Sequence, residues 1–135
     1  MIQAGELAPD FELKGHDDQL HKLSSYRGKR VLLVFYPLDF SPVCSNELVC
    51  FRDDFSGFNN AGVQVLGISV DSVWAHKAFA QKQGIEFPLL ADFNPRGAAA
   101  AKFGLFYEDK GITHRAIVLI GTDGKVDRMV EIGCI

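Results

Sequence analysis

Val31 to Tyr36 form a run without a polar interruption, which ends at Pro37 and is followed within a few residues by a helix-like pattern. A strand with apolar side chains on both faces must be covered on both, which makes it the central strand of a sheet packed against helices. Ser41-Pro42 reads as a helix N-cap followed by proline at the first helical position, where its missing N–H costs nothing. The unit is therefore strand, turn and helix.

The rest of the chain continues that alternation. The helix starting near Ser41 carries Leu48, Phe51, Phe55 and Phe58 at helical spacing and stops at Asn59-Asn60-Ala61-Gly62. Val63 to Val70 is the next strand, and Asp71-Ser72 caps a helix from Val73 to about Gln83, stopped by Gly84. A short strand lies within Phe87 to Asp92, and an alanine-rich helix runs from Arg96 to Phe103, ended by Gly104. Ala116 to Ile120 and Lys125 to Val130, joined by Gly121-Thr122-Asp123-Gly124, form a hairpin that closes the sheet. Ahead of the central strand, Phe11 to Leu23 alternate weakly about Gly15-His16-Asp17-Asp18, which predicts a small hairpin at the sheet's edge with His16 and His21 solvated. Parallel strands joined by helices require right-handed crossovers, which put the first two helices on opposite faces only if the strand order reverses between them.

A chain of 135 residues suits one α/β domain and is too short for two. A net charge of -3 gives no footprint for nucleic acid, and no apolar run approaches the roughly 20 residues of a membrane span. The start, Met-Ile-Gln-Ala-Gly, lacks the regions of a signal peptide, so the expected compartment is the cytoplasm. Three cysteines, an odd number at low density, argue against a secreted disulfide framework and for free or redox-active thiols. None of them, nor any histidine pair, has zinc-ligand spacing.

Cys44 falls at the third position of the capped helix. There a thiol meets unpaired backbone donors and the positive end of the helix dipole, both of which favour the thiolate. Cysteine is most often a small buried hydrophobe, but the first turn of a helix just off a buried strand is where α/β folds place their sites. The position suits a nucleophile.

Pro37, Ser41 and Cys44 resemble, in order and spacing, the proline, threonine-or-serine and peroxidatic cysteine of the peroxiredoxin motif. The resemblance extends from Gly5-x-x-Ala8-Pro9-x-Phe11 to Asp123-Gly124-Lys125, and Pro88-Leu89-Leu90-Ala91-Asp92 and Phe103-Gly104 are similar to the family as well. It implies a thioredoxin-like α/β fold with an N-terminal hairpin extension. It also implies a thiol peroxidase that reduces hydrogen peroxide or organic hydroperoxides through a Cys44 sulfenic acid, with no metal, haem or flavin.

In the family, donors around the attacking sulfur come from its own backbone N–H, the hydroxyl and a distant arginine. The hydroxyl matches Ser41, which drops the methyl that restricts threonine's rotamer. The arginine matches Arg115, in Ile112-Thr113-His114-Arg115-Ala116. Glu47 matches an acidic position that tethers the helix or the arginine, and Pro37 would shield the thiolate. His114, beside the arginine, is read as structural, because a thiolate already ionised needs no base. Trp74 and His76 lie on an amphipathic helix without an identifiable partner. The turn and Phe106 to Ile112 are similar to the one-cysteine, alkyl hydroperoxide reductase E-like group. The implied partners are a peroxide, an external thiol reductant (a thioredoxin- or glutaredoxin-like protein or a small thiol) and a second copy in a homodimer.

A thioredoxin-type disulfide oxidoreductase is the rival enzyme class, but it needs Cys-x-x-Cys, and Ser41 stands three residues before Cys44. A peroxide sensor, a thiol-disulfide exchange protein or a chaperone-like binder on the same fold is the remaining alternative. Cys50, six residues on, is separated from Cys44 by about 9 Å of rise and about 240° of rotation along a helix. A disulfide needs Cα atoms within about 7 Å, so the two cannot bond without unwinding. The expected order of resolution is an external thiol, then Cys134 near the chain end, then Cys50. Family chains continue into a C-terminal helix, apparently missing here after Ile135; the expectation is an exposed apolar patch beside the strand ending near Val130, covered by a partner chain or prone to aggregate.

Overall fold

The computed structural model of the chain describes residues 1–41, 52–53 and 55–131. It opens on a hairpin of β1 (Glu12–Lys14) and β2 (Leu20–Lys22), followed by a 3-10 turn, Leu23–Tyr26. Then comes β3 (Arg30–Phe35), α1 (Phe55–Asn60), β4 (Val63–Ser69), α2 (Val73–Gln83), β5 (Leu89–Ala91) and α3 (Ala98–Lys102). A two-stranded ribbon, β6 (Phe106–Tyr107) and β7 (Ile112–Thr113), precedes β8 (Ala116–Ile120) and β9 (Val126–Glu131).

The main sheet has the order β5-β4-β3-β8-β9, parallel from β3 to β5 and antiparallel from β3 to β9. The uninterrupted apolar run thus lies at the centre. Val31, Leu33 and Phe35 enter one core with Leu66, Ile68, Leu90 and Phe103. Leu32, Val34 and Tyr36 enter another with Val65, Phe79, Phe87 and Leu89. A large apolar side chain buried this fully contributes roughly 1.5–3 kcal/mol, so this one strand anchors both layers.

Strand order does not reverse between β3, β4 and β5, and the two crossovers accordingly bring Phe58 of α1 and Phe79 of α2 to the same core. The reversal follows β5, and Ala99 and Ala100 of α3 pack on the opposite face. Helix α2 has the bounds that its caps predict: Ser72 Oγ accepts from the Ala75 N–H at 3.1 Å, and Gly84 closes it at φ 67°. The alanine-rich helix is shorter than its sequence pattern. Gly97 is left-handed at φ 73°, and the Asp92 carboxylate caps from outside, accepting from the N–H groups of Ala99 (3.0 Å) and Ala100 (2.9 Å). Val130 is 40% exposed and lines an apolar hollow with Leu32, Ile117 and Leu119, on the side where the patch was expected.

The two hairpin histidines are not solvated. His21 is buried, with Nδ1 2.7 Å from the Tyr26 hydroxyl and Nε2 2.9 Å from Asp17 Oδ2. His16 fastens the hairpin to the sheet edge: its N–H donates to the Leu89 carbonyl at 2.9 Å, and its Nδ1 accepts from the Leu89 N–H at 3.0 Å. Burial lowers the His16 pKa, in keeping with a ring nitrogen that must stay unprotonated to accept. A histidine whose folded pKa is depressed adds stability that is present above its unfolded pKa, about 6.5, and lost as pH falls through the lower folded value. Urea unfolding at pH 7.5 and 5.5 should therefore show a midpoint that falls with pH in the native protein and falls less in His16→Ala. Because the ring is only half buried, the difference should stay under about 1 kcal/mol, and equal falls would refute it.

Candidate active site

Beyond β3 the chain turns through Pro37, Leu38, Asp39 and Phe40 to Ser41, with Pro37 and Ser41 half-buried. In open α/β sheets, sites form past the carboxyl ends of strands where the order reverses. β3 is such a strand, with β4 and β5 on one side and β8 and β9 on the other. Arg115 comes to the same end from the opposite direction. β8 pairs antiparallel with β3, and the last pair is Phe35 with Ala116, so Arg115 stands one residue further, beside the start of the turn. Its side chain is only 5% exposed. A guanidinium buried this far needs polar company, and Arg115, like Ser41, is not without a partner. Cys44, Glu47, Cys50 and Cys134 lie outside the described residues.

The turn is held by buried polar side chains that sequence reasoning missed. The Tyr36 hydroxyl donates to Asp39 Oδ1 at 2.6 Å, and His76 Nδ1 lies 2.7 Å from Asp39 Oδ2. His76 Nε2 is 3.0 Å from the Leu90 carbonyl, which can only accept, so Nε2 carries a proton. The Asp39 N–H donates to Asp71 Oδ2 at 2.8 Å, and that oxygen also accepts from the Ser69 hydroxyl. Burial, reinforced by the Asp39 carboxylate, pushes the Tyr36 phenol well above its ordinary range and keeps it a donor.

Phe40 adopts φ 67°, which costs a non-glycine residue roughly 1–2 kcal/mol. Its ring meets that of Phe79 edge-on with centroids 5.1 Å apart, so α2 steadies the strained residue. A signal for His76 was present in the chain: Val73, His76, Phe79 and Ala80 are spaced by three and four, which puts the histidine on the buried stripe of α2. Asp39 carried none, since a short polar residue in a turn is ordinary.

Asp39, Asp71 and His76 bring ligand-type atoms within 4.8 Å of one another. Their atoms are engaged in the hydrogen bonds above, so the cluster is a brace for the turn. His114 is engaged away from it, with Nδ1 2.6 Å from Glu131 Oε1 and its ring stacked on Tyr107. Trp74 remains 77% exposed.

Residues 4–129 match the AhpC/TSA family. The chain belongs to that family. Alkyl hydroperoxide reductase E of Mycobacterium tuberculosis is 42% identical over 125 residues, covering 92% of this chain and 82% of that protein. The crystal structure of peroxidoxin BcpB from Mycobacterium tuberculosis superposes with a TM-score of 0.88 at 31% identity, covering 97% of this chain and 86% of that one. Enterococcus faecalis AhpC superposes with a TM-score of 0.85 at 30% identity, covering 97% and 81%. The family's fold is thioredoxin-like, and the architecture here, a central β3 with helices on both faces, is that fold with the expected N-terminal hairpin. Among the described residues no helix is long and apolar enough to cross a membrane.

Proposed function

We propose that this family member is a thiol-dependent peroxidase for hydrogen peroxide and organic hydroperoxides, with Cys44 as the attacking group. The Cys44 thiolate attacks the hydroxyl oxygen of the peroxide; the S–O bond forms as the O–O bond breaks, the attacked oxygen keeps its proton, and the second oxygen takes a proton from solvent and leaves as water or alcohol. Cysteine is oxidised to sulfenic acid and the peroxide is reduced. An external thiol then condenses with the sulfenic acid, releasing water, and a second thiol frees Cys44 as a disulfide of the reductant departs.

The single observation that carries the reading is the family match across residues 4–129, which includes the Pro37, Ser41 and Cys44 motif. The roles of the individual residues are proposals. Ser41 aligns the peroxide by its hydroxyl, Arg115 favours thiolate and developing oxyanion with its fixed donors, Pro37 shields the sulfur, and Glu47 tethers the helix or the arginine. The β3–β8 register supports the pairing of turn and arginine, because it brings residues far apart in sequence to one sheet end. We further infer a homodimer working in the cytoplasm, where thiols stay reduced; light scattering of a concentrated sample would return a monomer if the pairing is wrong.

Stopped-flow mixing of the reduced protein with peroxide tests the activity. Thiol loss should exceed that of free cysteine by at least about 10²-fold, and a rate near that of free cysteine overturns the reading. Intact-mass measurement after one equivalent of peroxide with dimedone present should show a single adduct, mapped to Cys44. Quantitative loss of two protons with a Cys44–Cys50 peptide would show instead that an internal thiol resolves the sulfenic acid.

A further inference from the structure

We propose that Asp39 and His76 are positioning residues of this site: their buried hydrogen bonds set where Pro37 and Ser41 stand at the sheet end, and through them the rate of peroxide reduction. The inference rests on the peroxidase reading above. Asp39 sits inside the turn, two residues from each of Pro37 and Ser41. Its polar contacts among the described residues connect to three different strands. Tyr36 follows β3, Asp71 follows β4, and His76 carries the connection on to the Leu90 carbonyl in β5. The side chains of His76 and Asp39 are 0% and 1% exposed, so water does not substitute for either partner.

Among the described residues the brace's contacts run to Tyr36, Asp71 and the Leu90 carbonyl, so its effect is on position. Removing the carboxylate deletes the short bonds to the Tyr36 hydroxyl and to His76 Nδ1 and leaves those two buried groups the longer 3.4 Å contact with each other. It also loosens the turn at left-handed Phe40, which keeps its ring contact with Phe79 and the neighbouring residue 39 N–H bond to Asp71. The next residue is Ser41. A shift of about 1 Å in a group aligned with a reacting bond costs on the order of 10²-fold in rate. Asparagine can restore the pattern: its oxygen accepts from Tyr36 and its amide donates to His76 Nδ1, while Nε2–H stays on Leu90.

The test compares two reactions of the same thiol. Oxidation by hydrogen peroxide needs the aligned donors, whereas alkylation by iodoacetamide at a pH where the thiol is ionised needs only access. Asp39→Ala should slow oxidation about 10²-fold and alkylation less than about threefold, with Asp39→Asn within about threefold of the native protein in both. Oxidation that stays within about threefold in Asp39→Ala overturns the proposal, as does equal slowing of both reactions, or an Asp39→Asn as slow as the alanine variant. Should Asp39→Ala not fold, Tyr36→Phe deletes one bond of the brace; oxidation slowed about fivefold supports the proposal and an unchanged rate overturns it. The native protein run alongside separates the two layers of inference: if its thiol is oxidised no faster than free cysteine the peroxidase reading has failed, whereas a fast native protein with an unslowed Asp39→Ala fails the brace alone.

Discussion

Cys44→Ser is expected to abolish peroxide reduction, by at least on the order of 10⁴-fold in the second-order rate. The sulfur is the atom oxidised, and a hydroxyl oxygen can neither form a sulfenic acid nor ionise near neutral pH, so nothing in the site substitutes for it. Cys50→Ser and Cys134→Ser should keep the first oxidation step, because neither cysteine stands at the peroxidatic position of the Pro37, Ser41 and Cys44 motif. Peroxide consumption followed by ferrous oxidation, with an excess of a small dithiol as reductant, reads all three variants. Residual activity above ~1% in Cys44→Ser would move the chemistry to another thiol and remove the basis for assigning Ser41 and Pro37.

Arg115→Ala should lower the rate of thiol oxidation by about 10²–10³, the usual effect of deleting a donor aimed at developing charge. Two contributions add. Loss of a cation raises the thiol pKa, which thins the thiolate population, and loss of the guanidinium fork removes the fixed donors that align the peroxide. Arg115→Lys separates them: it returns a point charge without the fork, so the thiol pKa should recover further than the rate does. The side chain is 5% exposed at a strand end, so the alanine variant also opens a cavity and should melt earlier. That loss is distinguishable, because a purely structural role would move the melting point and leave the oxidation rate per folded molecule within about threefold of native.

The exposed residues around the turn fit a site that must admit a partner thiol. Leu38 and Phe40 are 37% and 50% exposed on the turn itself, beside the fully buried Tyr36 and the nearly buried Asp39. Rigid support under an open surface is what a positioned nucleophile requires, since the supporting groups can be locked only where water is excluded.

Local chemistry in the chain determined the elements. Val31 to Tyr36 specified a strand buried on both faces because six side chains in a row leave neither face polar. Ser72 and Gly84 specified the ends of α2, because a side-chain oxygen satisfies an orphan N–H at one end and glycine adopts the left-handed closure at the other. The motif of Pro37, Ser41 and Cys44 specified the family in the same local way. Only the tertiary structure decided that α1 and α2 share one face while α3 takes the other, since strand order is a choice among registers that no short segment contains. It decided the β6–β7 ribbon, where two residues a side are too few to show alternation. It decided as well that His16 and His21 are tied down, and that His76 braces a turn 37 residues earlier in the chain. A histidine's role is set by whichever acceptor or donor folding brings within about 3 Å of its ring, and that distance belongs to the packed sheet, not to any segment of it.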